Sequence, residues 1–184
     1  MDKFVDYNNF NQIDLLSYNC ISELLVNNEN IWKLIHPDYM TPDCLSKPNL
    51  TKAQKRNLIY KGQEDSSPFR VFTDGLNNND AMLERCAILK IYPALIIPTN
   101  YVISNTSIVF ECLCHYKVNT LDNYSTRSLS MIKEILQTLN GVNIGGIGNL
   151  VADQKISSNN KIQFGVYSDK GYSGYALTMS TQTV

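Results

Sequence analysis

Ser107-Ile-Val-Phe-Glu-Cys-Leu-Cys-His-Tyr-Lys117 is the stretch whose reading decides the fold. Ile108, Phe110, Cys112, Cys114 and Tyr116 share one side of an extended chain, and Val109, Glu111, Leu113, His115 and Lys117 share the other. A period of two with one face almost wholly apolar is the pattern of a half-buried β-strand. A strand of this kind needs neighbours beside it and a layer over its apolar face.

Both are legible on either side. Upstream, residues 83–98 hold Ala87-Ile-Leu-Lys-Ile-Tyr92 and Leu95-Ile-Ile97, with Pro93 and Pro98 as punctuation. A proline at 93 implies an edge position or a bulge. Downstream, a turn over residues 119–124 leads to a helix capped by Ser125 or Thr126. Its stripe is Leu129, Ile132, Ile135, Leu136 and Leu139, at steps of three and four. Asn140-Gly141 supplies a left-handed stop. A glycine-rich turn, Gly141–Gly148, then enters a short strand at Leu150-Val151. Residues 161–167 alternate again, as do Tyr175, Leu177 and Met179, and Lys170-Gly171 predicts the turn of a closing hairpin.

The N-terminal part is helical. Ile13 to Ile35 carries apolar residues at helical spacing, with Asn11 as cap, Asp14 in the first turn, and a break at Asn27-Asn28. His36-Pro37 ends it, because a residue before proline is pushed out of the α region. Residues 38–50 form a loop. Thr51 and Gln54 then form a capping box that opens a short helix running to Tyr60. Residues 62–80 are the most irregular, with an apolar island of Phe69, Val71 and Phe72. The island reads two ways: an edge strand tucked onto the core, or a functional loop. The expected fold is α+β, a small antiparallel or mixed sheet with one amphipathic helix packed across it, plus N-terminal helices. The division is a helical part over 1–60, a long loop over 61–81 and an α+β core over 82–184, within one compact domain of 184 residues.

Composition narrows the function. Charged residues are 18% and the formal net charge is -1, so no basic excess is present to neutralise a phosphate backbone. The opening residues lack a basic segment followed by an apolar run, so no signal peptide is expected, and no apolar stretch approaches the roughly 20 residues of a membrane span. The five cysteines are odd in number and irregularly spaced, which points to reduced thiols in a cytosol.

Each candidate for chemistry meets a physical objection. Cys112-Leu-Cys114-His115 has both cysteines on one strand face and the histidine on the other, with no second ligand pair for zinc. The two histidines, His36 and His115, give no cysteine a base with an orienting third group. The glycines at 141–148 follow a helix instead of preceding one, so no helix N-terminus faces a phosphate. Glu64-Asp65, and Asp38 with Asp43, lie in polar loops. Lys52, Lys55, Arg56 and Lys61 make a small basic cluster that reads as a solvated helix face or as a contact for an acidic partner. The expectation is a chain with no catalytic centre, cofactor or metal.

Several of these segments together resemble a known family. They are Arg85-Cys-Ala-Ile-Leu-Lys-Ile-Tyr-Pro93, Ile97-Pro-Thr-Asn100, Ile108-Val-Phe-Glu-Cys-Leu-Cys-His115, Leu121-Asp-Asn-Tyr-Ser-Thr-Arg127 and the helix ending Leu139-Asn-Gly141. With the following Gly-Ile-Gly and the hairpin, they resemble neck proteins of tailed bacteriophages, of the tail-terminator or tail-completion type found in crAss-like phages. The resemblance spans roughly residues 82–180. It implies a virion structural protein, assembled in the host cytoplasm, that forms a homo-oligomeric ring at the head–tail junction. Such a ring meets a portal or adaptor ring on one side and tail proteins on the other. Genomic DNA passes through without specific binding, and no membrane or catalytic residue is implied. Contacts are then expected at Phe69, Arg70 and Phe72 in the 62–80 loop, at Asp122, Tyr124 and Arg127 in the following turn, and at the termini. Arg127 opposes the helix dipole, which suggests either a neighbour's carboxylate or solvent. The competing expectations are a thiol-dependent enzyme using Cys112, Cys114 or His115, and a cytosolic adaptor outside the virion.

Overall fold

The structure, a computed structural model, describes residues 15–62, 69–74, 85–98, 104–145, 148–152, 162–167 and 171–183. It is an α+β fold in which one mixed sheet carries a layer of helices on one face.

The helical layer begins with α1, Leu16–Asn27, which buries Leu16, Cys20, Ile21 and Leu24 at steps of three and four. Asn28 breaks it as expected, and its side chain does three things at once. Oδ1 accepts from Ile31 N (2.8 Å) at the start of α2, Asn30–Ile35. Nδ2 donates to Thr138 Oγ1 (2.7 Å) and to Glu134 Oε2 (3.0 Å), both on the helix that crosses the sheet. Trp32 is buried and donates its indole N–H to Leu24 O, locking α2 under α1. His36 is extended before Pro37, and α2 stops there. Two 3-10 turns, Pro37–Tyr39 and Cys44–Ser46, lead to α3, Lys52–Asn57, whose capping box is complete. The expected helix start at Asn11, Ile13 and Asp14 lies outside the described residues.

Five strands follow: β1 Val71–Phe72, β2 Ala87–Pro98, β3 Ser104–His115, β4 Ile162–Tyr167 and β5 Tyr172–Thr183. Their order is β1-β2-β3-β5-β4; β1 is parallel to β2, and the other pairs are antiparallel. The sheet is therefore mixed. Since both β3 and β4 run against β5, they are parallel to each other with β5 between them. The helix α4, Arg127–Leu139, makes the crossover and lies against β3, β5, α1 and α2. The main core joins Ile108, Phe110, Cys112 and Cys114 of β3 to Met131, Ile132, Ile135 and Leu139 of α4 and to the buried side of α1 and α2.

The opposite sheet face holds a smaller cluster of Phe72, Cys86, Ile88, Leu113 and Tyr172. Beside it, buried Lys90 lies 3.8 Å from Glu111, its cross-strand partner, and Tyr92 donates to Glu111 Oε1 (2.7 Å). Burial lowers the Lys90 pKa, and Glu111 acts against that shift. Gly174 pairs with Leu113 where a Cβ would run into the Cys112 carbonyl oxygen.

Of the two readings of the 62–80 island, the edge strand holds for Val71–Phe72, which pairs with β2 while Val71 also bridges Ile59; residues 63–68 and 75–80 lie outside the described residues. Three expectations are corrected. The key strand ends at His115 instead of Lys117. There His115 Nδ1 accepts from Lys117 N (3.2 Å) and turns Tyr116–Val118 into a 3-10 turn, which leaves Tyr116 exposed. Leu129 is exposed and outside the buried stripe, and Thr126 offers α4 no side-chain cap; Asn119 Oδ1 instead accepts from Ser128 N (3.0 Å). The bulge at Pro93 is present, with Pro93 opposite Ile108 and Leu95 opposite Ser107, so Ala94 is the extra residue.

Candidate interaction surfaces

Arg127 is the first residue of α4 and is fully buried. Its guanidinium donates to Leu34 O (2.9 Å), Thr41 O (2.8 Å) and Val118 O (2.8 Å), and it lies 3.2 Å from Cys44 Sγ. Neither a neighbour's carboxylate nor solvent receives it, so both expectations for this residue give way. The dipole objection is met differently, because Leu34 O belongs to the last turn of α2, where helix carbonyls carry partial negative charge. The arginine clasps three segments from within.

What it clasps is the base of the turn over residues 119–126. Thr120 bridges Thr126, Leu121 N bonds Ser125 O (3.0 Å), and Arg127 N bonds Asn119 O (2.6 Å). Asn123 Oδ1 accepts from both Ser125 N (3.0 Å) and Ser125 Oγ (2.6 Å). Leu121 is buried, and Asp122 N reaches across to Pro42 O (3.1 Å). The apex of this pinned turn is Tyr124, 94% exposed and at φ +61°. A bulky non-glycine residue in that region costs about 1–2 kcal/mol. Asp122 is exposed beside it.

The other predicted contacts fare differently. Phe72 is buried against Tyr60 (ring centroids 5.5 Å), and Phe69 meets the same ring edge-on. Arg70 is 2% exposed and donates to Phe69 O, while its own backbone joins α3's exit to β2. Phe72 and Arg70 are thus parts of the interior, and of the six predicted residues Asp122 and Tyr124 stand free at the surface. All five cysteines are buried free thiols. Burial pushes the Cys20 thiol up to about 12 and raises Cys112 and Cys114 well above the ordinary thiol value. His115 points away from Cys112 and Cys114, its ring against Tyr116 and Tyr172, so the Cys–His pairing considered from the sequence is not assembled.

The basic cluster of Lys52, Arg56 and Lys61 borders a second surface, an apolar groove that sequence reasoning missed. Between α1, α3 and the β1–β2 edge runs an open groove of about 720 Å³. Ile21, Leu25 and Val26 of α1 and Ile59 after α3 make it apolar, and exposed Lys52 and Arg56 border it. Those two cations are four apart on α3, so they stand one turn apart on the same side. Lys55, between them, turns inward to an ion pair with Glu29. Among the described residues no acidic side chain lines the groove. The available signal was Leu25-Val26 together with Tyr18, apolar residues of α1 that fall off its buried stripe.

Fold and surfaces define a small α+β protein that presents a braced aromatic turn and a cation-edged apolar groove. The chain belongs to the YomW family, whose model matches residues 28–181. This is a phage-derived family that includes YomW of Bacillus phage SPBc2, and the chain is phage-associated accordingly. The matched stretch takes in α2, α3, α4 and the sheet strands from β1 into β5. No match was found among curated proteins, and none among solved structures.

Proposed function

We propose that this chain is a structural protein of the phage virion neck. Copies form a ring at the head–tail junction that joins the portal or an adaptor ring to tail components. The phage-derived family supports the setting, and the resemblance of residues 82–180 to tail-terminator proteins supports a place at the head–tail junction. The observation that carries the reading is Tyr124. A tyrosine held almost wholly in solvent, at a costly backbone angle, by a turn braced from inside by Arg127 gains nothing for the isolated chain. Buried in a protein–protein contact, the same side chain is a rigid aromatic anchor of the kind that dominates interface energies. Asp122 supplies a polar rim beside it. On this reading the protein performs no catalytic step, takes no cofactor, and lets DNA pass without sequence-specific contact.

The test is mass spectrometry of purified particles of the encoding phage, with native mass spectrometry of the recombinant chain. The protein is expected in mature particles and as a ring-sized oligomer, alone or with its portal-side partner. Tyr124→Ala is expected to keep the fold, by circular dichroism, and to lose assembly. Absence from mature particles would defeat the reading.

A further inference from the structure

We propose that the groove between α1 and α3 is the docking site for an acidic amphipathic helix of a partner protein. Two independent features converge there. The half-buried Leu25 and Ile59 and the exposed Val26 offer a greasy seat beside α1, with buried Ile21 as its floor. Lys52 and Arg56 edge that seat, and neither forms an ion pair with a described residue. The neighbouring cation Lys55 shows the contrast: it is buried and already paired with Glu29. Two cations one helical turn apart match two carboxylates one turn apart on a facing helix, whose apolar stripe then enters the groove. Exposed Val26, at 70%, and Tyr18, at 64%, extend the apolar surface outward from the groove, as a helix laid along α1 requires. Nucleic acid fits less well. A phosphate backbone calls for a track of cations, whereas here an apolar strip dominates and the whole chain has net charge -1. The proposal deepens the neck reading by naming the chemistry of one partner, and it rests on that reading for the partner's existence.

The experiment measures fluorescence anisotropy of labelled probes against the full chain. One probe is a short helical peptide with leucines on one face and two glutamates one turn apart beside them. The others are its Glu→Gln and Glu→Lys counterparts and a short DNA duplex. The glutamate peptide is expected to bind about three- to ten-fold tighter than the glutamine peptide, the range two solvent-exposed ion pairs allow. The double variant Lys52→Glu with Arg56→Glu is expected to reverse the preference in favour of the lysine peptide. Val26→Arg, at an exposed position where folding is unaffected, is expected to weaken all peptides. Equal binding of the glutamate and glutamine peptides, indifference to Val26→Arg, or no peptide binding because the chain's own residues fill the groove each overturns the proposal. Duplex binding that depends on Lys52 and Arg56 does so too, in favour of a nucleic-acid site. These results stand apart from the particle test: peptide binding by a chain missing from virions removes the neck reading and leaves the groove.

Discussion

At the scale of single residues, Arg127 and Tyr124 divide the labour of one turn. Arg127 closes three backbone carbonyls, of which Leu34 O is fully buried, so Arg127→Met leaves at least that one unpaired and is expected to destabilise by about 1–3 kcal/mol, read as a lower urea midpoint. Arg127→Lys is expected to recover a minor part, because one ammonium cannot span the fork. Tyr124→Gly relieves the φ +61° strain and is expected to stabilise the isolated chain by about 1 kcal/mol while impairing assembly. A gain in stability joined to a loss of assembly separates a contact residue from a structural one. Sequence reasoning selected both residues, and it placed Tyr124 on the right element. It missed the direction of Arg127, because nothing local reveals that Leu34 and Thr41, some ninety residues upstream, bring bare carbonyls to the same point.

At the scale of elements, the strand 107–115 and the helix 127–139 were legible because alternation and three-four spacing record which face is buried. The edge strand Val71–Phe72 was ambiguous because two residues cannot display a period. The strand end at His115 was invisible because it depends on one ring nitrogen. His36 does the same for Pro37–Tyr39, where Nδ1 accepts from Asp38 N (3.3 Å). Both caps need a neutral ring. Burial lowers both pKa values below the ordinary 6.5, with Arg70 adding to the effect at His36 against Asp38, and Arg85 and Lys117 adding at His115. Since each folded value lies below the unfolded one, the contribution is complete above pH 6.5 and is lost as pH falls through the lowered values. Urea midpoints are therefore expected to fall on acidification, and His36→Asn with His115→Asn, which cap without titrating, are expected to flatten that dependence. Across β2 and β3, Glu111→Gln takes the cross-strand carboxylate from a buried ammonium on which Asp74 also acts, and is expected to lower the urea midpoint more than Lys90→Met does.

At the scale of the whole molecule, the five thiols sample both sides of the sheet: Cys20 in α1, Cys44 in the turn under Arg127 and Cys112 and Cys114 within β3 lie in the main core, and Cys86 at the head of β2 lies in the smaller cluster on the opposite face. In native protein a thiol reagent is expected to label none of them, and in urea all five, with the onset following the global unfolding curve. Labelling of one thiol under native conditions would reveal local opening at that element. The basic cluster was legible and the apolar seat beside it was not, for a reason of the same scale: Leu25-Val26 and Lys52-Arg56 are remote in the chain and meet through tertiary packing. The strand order has a consequence in time. Because β5 lies between β3 and β4, the hydrogen-bonding partner that both flanking strands require is made after each of them. During synthesis β3 waits with an open edge through the making of nearly sixty residues, a gap long enough for its Ile-Val-Phe and Cys-Leu-Cys runs to find other partners. Whatever shields β3 on the ribosome, α4 folding early over its apolar face or a chaperone at its open edge, governs how much of the newly made chain reaches its final form.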